Sequence, residues 1–254
     1  MDPRILDIKR RAKEISAARP KTAFSTECAE ELRHASNLFF DHPLMLRLQG
    51  DAIGFLNDVC GFGVAHGKRV AMDAAAIVLA EPCDLSPDDR RRAALLAAMA
   101  GLLHDAMNHE DEHPERGADL CLRLLRGYAL TPEERVWIAQ AVALHEADLP
   151  LAEAGPEAAH LICGAVHDAD RFRFGPDIFA ATMWEYCDCD EWPLEEIAQA
   201  FTKGADRAAS CARSFRTEIG RRYGPALLDE GQALARRYAA MIRERLADGV
   251  PSNT

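Results

Sequence analysis

Apolar residues recur at three- and four-residue spacing through nearly the whole chain, while strictly alternating β-branched runs are scarce. The pattern predicts helix after helix, and so an all-α fold. It places a first helix over 3–17. A second follows the cap candidates Ser25 and Thr26 and ends near His42 and Pro43, where proline discourages continuation. A third over 44–59 meets the Gly61-Phe62-Gly63 break, and a fourth over 64–80, with His66 in its first turn, stops before Pro82. Ser86 then offers a cap, Pro87 a first helical position, and Asp88 and Asp89 acids that complement the helix dipole. The helix they start, RRAALLAAMAGLLHD, is apolar on nearly every side. A helix of that kind is covered by neighbours all round, so it is predicted to be central and to carry His104 and Asp105 at its C-terminal end. Further helices are predicted over 114–125, 131–145, 156–170, 176–186, 194–223 and 225–247. The last two bear regular polar faces, such as RSFRTEIGRR, which read as solvated faces or as the surface of a homodimer.

Length and charge narrow the function. A chain of 254 residues with 48% hydrophobic residues can bury its core as a single helical domain spanning 1–254. A formal net charge of -11 argues against a basic track for duplex nucleic acid. It leaves room for a small anionic substrate, provided that a bound divalent cation reverses the charge locally. The eight cysteines are scattered and follow no secretion signal, which favours reduced thiols; Cys187 and Cys189 form a C-x-C pair without a second pair to complete a soft-metal site. The start, MDPRILDIKRRAKEI, has no apolar h-region, and no stretch reaches membrane-spanning length, so a cytoplasmic protein without membrane contact is expected.

The chemistry concentrates on His104-Asp105. Neighbouring side chains on a helix point about 100° apart, so both reach one ion only at a helix end or the rim of a cavity. Imidazole and carboxylate suit first-row divalent metals, and further His and Asp residues follow at intervals. Over 66–174 the chain resembles the HD superfamily of metal-dependent phosphohydrolases. HGKRVAMDAAAIVLA resembles the family's first histidine helix, with Arg69 three residues after His66. LLHDAMNH supplies the doublet, HPERGADLCLRLL places His113 with Gly117 at a close helix contact, ALHEAD offers His145, and HDADRFRFG resembles the segment that closes the site.

The resemblance implies an HD-domain helical bundle with a core over 57–175, N-terminal helices over 1–56 and C-terminal helices over 176–254 packed on it. It implies one or two divalent transition-metal ions, drawn from Mn, Fe, Co, Ni or Zn. His66, His104, Asp105 and Asp170 would hold the first, with Asp168 as an alternate for Asp170. Asp105, His113 and His145 would hold the second, although Glu146 stands where some branches carry another histidine.

The expected activity is hydrolysis of a small phosphorylated substrate by metal-activated water. His104 and Asp105 are then the catalytic centre. Glu110 or Asp111, in the loop over 108–112, is the candidate general base, and Arg171, Arg173, Lys68 or Arg69 grips the phosphate. Asn108 stands where some HD nucleotidases carry glutamate, and no GYP segment follows His145-Glu146. Two other classes fit the same residues: a non-catalytic metal- or nucleotide-binding HD module, and an HD-type diiron oxygenase. The aromatic group Phe172, Phe174, Phe179, Trp184, Tyr186 and Trp192 reads as core, or as cover for a base or sugar.

Overall fold

The computed structural model describes residues 3–56, 63–147, 156–189 and 191–248. Among them are twelve α-helices and no strand, which establishes the all-α class. In order they are α1 (Pro3–Ala17), α2 (Ala23–Glu27), α3 (Ala29–Asp41), α4 (Pro43–Ala52), α5 (Val64–Ala80), α6 (Pro87–Leu103), α7 (His113–Leu124), α8 (Pro132–Ala143), α9 (Glu157–Phe172), α10 (Met183–Cys189), α11 (Leu194–Cys211) and α12 (Glu218–Asp248). No helix among the described residues is long and apolar enough to cross a membrane.

Contacts group the chain into two compact units. One comprises residues 1–22, 172–213 and 225–254. Its core gathers Ile5, Ile8 and Ala12 of α1, Trp184 and Cys187 of α10, Leu194, Ile197 and Phe201 of α11, and Tyr238 and Ile242 of α12. Phe179 and Trp184, read from sequence as core or ligand cover, are core here, stacked with Phe201. The second unit, residues 23–171 and 214–224, contains every candidate metal ligand.

That second unit is built around α6. Ser86 Oγ accepts from the Asp89 amide to cap the helix, and every residue from Ala93 to Leu103 is buried. Helix α5 lies against it closely. A Cβ on Gly101 would stand 2.8 Å from Ala71 Cα, and one on Gly67 would stand 3.1 Å from the Leu102 carbonyl oxygen. Only a residue without a side chain lets the two backbones meet there. Gly117 of α7 instead makes room for a side chain: Val142 Cγ1 of α8 would stand 2.9 Å from a Cβ there.

Helix α8 is tied to α6 by a bidentate ion pair. Arg92 Nε and Nη2 donate to the Glu134 carboxylate at 2.6 and 2.7 Å, and the same carboxylate closes a capping box with Thr131. The Arg92 hydrogen bonds hold the Glu134 pKa below its ordinary value against the opposing effect of burial. Such a group contributes stability above its unfolded pKa and loses it as pH falls through the lower folded value. Glu134→Gln is therefore expected to cost about 1.5–3 kcal/mol at neutral pH. In urea titrations at stepped pH, the gap between wild type and variant should stay constant above a pH of about 4.3 and close below it.

Several elements differ from the sequence pattern. Ser25 and Thr26 lie inside the short α2 rather than ahead of a helix; His42 caps α4, through Nδ1, which accepts from the Leu44 amide. Helix α4 gives way to turns after Ala52, and the anticipated continuation to Val59 and the break at Gly61-Phe62 lie outside the described residues. A π-helical turn, Ile178–Thr182, precedes α10. The pattern predicts one helix ending at Tyr223 and another starting at Pro225, yet α11 ends at Cys211 and α12 runs through Pro225. The cause is tertiary. Asp168 of α9 accepts from the Arg216 and Thr217 amides and from Thr217 Oγ1, and Thr217 Oγ1 accepts from the Gly220 amide, which together cap α12 at its true start.

Among the described residues, Cys28, Cys83, Cys121, Cys163, Cys187 and Cys211 are free thiols. Burial pushes Cys121 up to about 12 and Cys163 to about 11, so both behave as small apolar core residues. The side chain of Cys189 and all of Cys60 lie outside the described residues.

Candidate metal centre

The end of α6 makes the site possible. After Leu103 the helix unwinds into successive turns, closed by Ala106 N–H to the Leu103 carbonyl and Asn108 N–H to the Asp105 carbonyl, at 3.0 and 3.1 Å. There the adjacent His104 and Asp105 side chains turn toward one centre. The close approach of α5 at Gly67 brings His66 to the same place, with its Nε2 3.0 Å from His104 Nε2. Asp170, near the end of α9, completes the group: its Oδ1 lies 3.3 Å from His66 Nε2 and 3.6 Å from His104 Nε2.

Asp105 faces two ways. Its Oδ2 is 3.6 Å from His66 Nε2 and 3.4 Å from His104 Nε2, while its Oδ1 is 3.6 Å from His113 Nε2 and 3.5 Å from His145 Nε2. The result is two adjoining donor groups, His66 with His104 and Asp105, and Asp105 with His113 and His145, each able to hold a metal ion, with one carboxylate common to both and Asp170 beside the first. The donor spacing fits an ion. Ligands about 2.1 Å from a metal stand roughly 3.0 Å apart in octahedral and 3.4 Å apart in tetrahedral arrangement.

Two histidines are prepared for ligation in the same way. His104 and His145 each follow the end of a helix, and each ring uses Nδ1 toward the carbonyl three residues earlier, Gly101 at 2.8 Å and Val142 at 2.7 Å. That bond satisfies one of the carbonyls a helix end leaves unpaired. It also assigns the Nδ1 proton to the carbonyl, so that Nε2 is the atom presented to Asp105. His113 opens α7 immediately after Glu112, whose φ of 58° is left-handed, a conformation uncommon for a residue with a side chain.

Charge within the group is held by its own members. Burial opposes a proton on His104, but Asp105 and Asp170 outweigh it and raise the pKa to about 9. Burial opposes the Asp105 charge as well, and His104 and His145 overcome it to hold the carboxyl at about 2. Asp170 is likewise lowered well below its ordinary value, against burial, by hydrogen bonds from His104 and His66. A buried cluster in which protons and carboxylates balance in this manner is one in which a divalent cation replaces the proton without leaving unpaired charge.

The remaining candidates are placed as follows. Asp168 is two residues before Asp170, about 200° away around α9 by helix geometry. It points to the α12 cap described above and accepts from His167 Nδ1 at 2.9 Å. Burial pushes the His167 pKa down. Glu110 stands in the loop between α6 and α7, with its carboxylate 3.7 Å from His109 Nε2 and 3.8 Å from Arg116 Nε. Arg171 is buried, its Nε donating to Ser214 Oγ at 2.7 Å and its Nη2 to the Glu146 carbonyl at 3.5 Å. Arg173 pairs with Asp177, and the Lys68 ammonium stacks on the Phe40 ring. Arg69, half-buried on α5, has no hydrogen-bond or ion-pair partner among the described residues.

Glu146 was seen in the sequence only as a departure from a pattern. The structure sets its Oε2 3.8 Å from His113 Nε2, beside the second donor group and half exposed to solvent. Adjacency to His145 was the one available signal. No protein-family model, curated protein or solved structure matches the chain.

Proposed function

We propose that this chain is a metal-dependent phosphohydrolase of the HD type, using two divalent ions to hydrolyse a small phosphorylated substrate. The observation that carries the reading is the bifacial Asp105 carboxylate, one oxygen toward His66 and His104 and the other toward His113 and His145. In this reading His66, His104, Asp105 and Asp170 hold one ion, and Asp105, His113 and His145 the other. Divalent ions so held lower the pKa of a bound water and offset charge on a phosphoryl oxygen.

The chain's own groups supply the rest. Arg69 lies three residues after His66, on the same face of α5, and its uncommitted guanidinium suits a bidentate grip on a phosphoryl oxygen pair. Arg171, engaged with Ser214 and the Glu146 carbonyl, supports the turn around His145 rather than the substrate. Glu146, half exposed beside the second group, accepts the proton that water loses as it attacks phosphorus, while the bond to the leaving oxygen breaks. Glu110 is held to His109 and Arg116 and serves the loop.

The test joins elemental analysis of protein purified without added metal to a screen of phosphate release from phosphomonoesters and nucleotides, with dissolved oxygen recorded in parallel. About two transition-metal ions per chain and phosphate release without oxygen uptake are expected. Oxygen consumption with a small polyol or phosphonate would replace this reading with the oxygenase. Metal without turnover on any substrate would leave a binding module, and an empty protein after reconstitution would end the metalloenzyme reading.

A further inference from the structure

The second donor group depends on a turn that lies outside any helix. His145 and Glu146 lie just past the end of α8, in a four-residue turn whose only internal backbone bond runs from the Ala147 amide to the Leu144 carbonyl, at 3.3 Å. We propose that Arg216 is the positioning residue for this turn, and that occupancy of the second ion site is set by the segment over 214–217. The proposal rests on the two-ion reading above.

Arg216 reaches both ends of the turn with one guanidinium. Nη1 donates to the Leu144 carbonyl at 3.0 Å and Nη2 to the Ala147 carbonyl at 2.5 Å, so His145 and Glu146 stand between two clamped carbonyls. Arg171 adds a third bond, to the Glu146 carbonyl. A planar fork with fixed donor directions fits two carbonyls at once, which a lysine ammonium does not match.

Arg216 is itself held from α9. Its amide donates to Asp168 Oδ1 at 2.9 Å, and the Thr217 amide and hydroxyl donate to Asp168 Oδ2 at 2.8 and 2.7 Å. Ser214 is fixed by Arg171, and Gly164 leaves space for the segment to seat, since a Cβ there would meet Thr217 Cγ2 at 3.1 Å. Helix α9 thus serves the two donor groups by different routes. Asp170 enters the first directly, whereas Asp168, on the opposite face, acts on the second through Arg216 and the turn.

Removing groups that orient metal ligands typically costs 10–100-fold in affinity. Arg216→Met is therefore expected to weaken the second ion about 10–100-fold in a Zn²⁺ or Mn²⁺ titration, with the first ion bound as in wild type. Arg216→Lys should recover only part of the loss, and it carries the comparison if Arg216→Met does not fold. Hydrogen exchange on metal-free protein supplies an independent arm. The amides of Leu144 and Ala147 should exchange faster in the variants, while those of α5 and α6 do not change.

Unaltered second-ion affinity in a folded variant, or unaltered exchange in the turn, overturns the role of Arg216. A wild type that binds a single ion overturns the two-ion reading instead, and the exchange arm then decides alone whether Arg216 fixes the turn.

Discussion

Replacing Asp105 with alanine is expected to empty both donor groups at once, whereas replacing His145 or Asp170 empties only one. The asymmetry follows from geometry. Oδ2 of Asp105 completes the group of His66 and His104, and Oδ1 that of His113 and His145, so a single carboxylate supplies a donor to each. Loss of residues that merely orient ligands already costs up to about 100-fold, and loss of a shared ligand should exceed that at both sites. Metal content should drop from about two ions to near none, and phosphate release should fall by more than about 100-fold. His145→Ala should retain the ion held by His66, His104, Asp105 and Asp170. Elemental analysis of the three variants, with circular dichroism to establish folding, provides the comparison. One ion surviving in Asp105→Ala would show that the carboxylate is not shared.

The contrast between Asp105 and Asp168 also marks what the sequence could carry. Helices whose ends are encoded locally were legible: Gly63 and Ser86-Pro87 announce α5 and α6; α5 appears with the anticipated bounds, and α6 starts where anticipated but ends at Leu103, just short of His104-Asp105. The convergence of His104 and Asp105 followed from their place at a helix end, and the structure brings His66, His113, His145 and Asp170 to the same cluster. Choosing between Asp168 and Asp170 was beyond the pattern, because it depends on how α9 is rotated about its axis. That rotation is set by what each face meets: the cluster on one side, and the amides of Arg216 and Thr217 on the other. The same missing contact explains the misplaced helix break. Pro225 is a strong local signal and Asp168 is a distant one, yet it is the distant carboxylate that caps the start of α12, and the helix carries Pro225 in its interior. Glu146 escaped because its significance lies in a 3.8 Å separation from His113, a residue 33 positions earlier in a different helix.

The largest loss of stability is expected at Gly101. By intrinsic preference a side chain there should help, since glycine within a helix is about 1 kcal/mol worse than alanine. Packing reverses the sign. A Cβ at 101 would sit 2.8 Å from Ala71 Cα, 2.9 Å from Ala71 N and 3.0 Å from the Val70 carbonyl carbon, and these are backbone atoms that cannot swing aside. Overpacking typically costs about 1–3 kcal/mol, and contact with backbone belongs at the upper end. Gly101→Val is therefore expected to lose about 3 kcal/mol, or roughly 10 °C in Tm for a chain of this size. Gly50, in α4 with nothing within 4 Å of a would-be Cβ, serves as the control: Gly50→Ala should gain up to about 1 kcal/mol. The damage at 101 should reach the site as well. The Gly101 carbonyl accepts from His104, and the α5 contact it permits is the one that sets His66 beside His104. Forcing α5 and α6 apart should lower metal content at temperatures where the protein is still folded. A Gly101→Val protein that melts like wild type would mean that the helices separate at little cost and that glycine is not what seats His66.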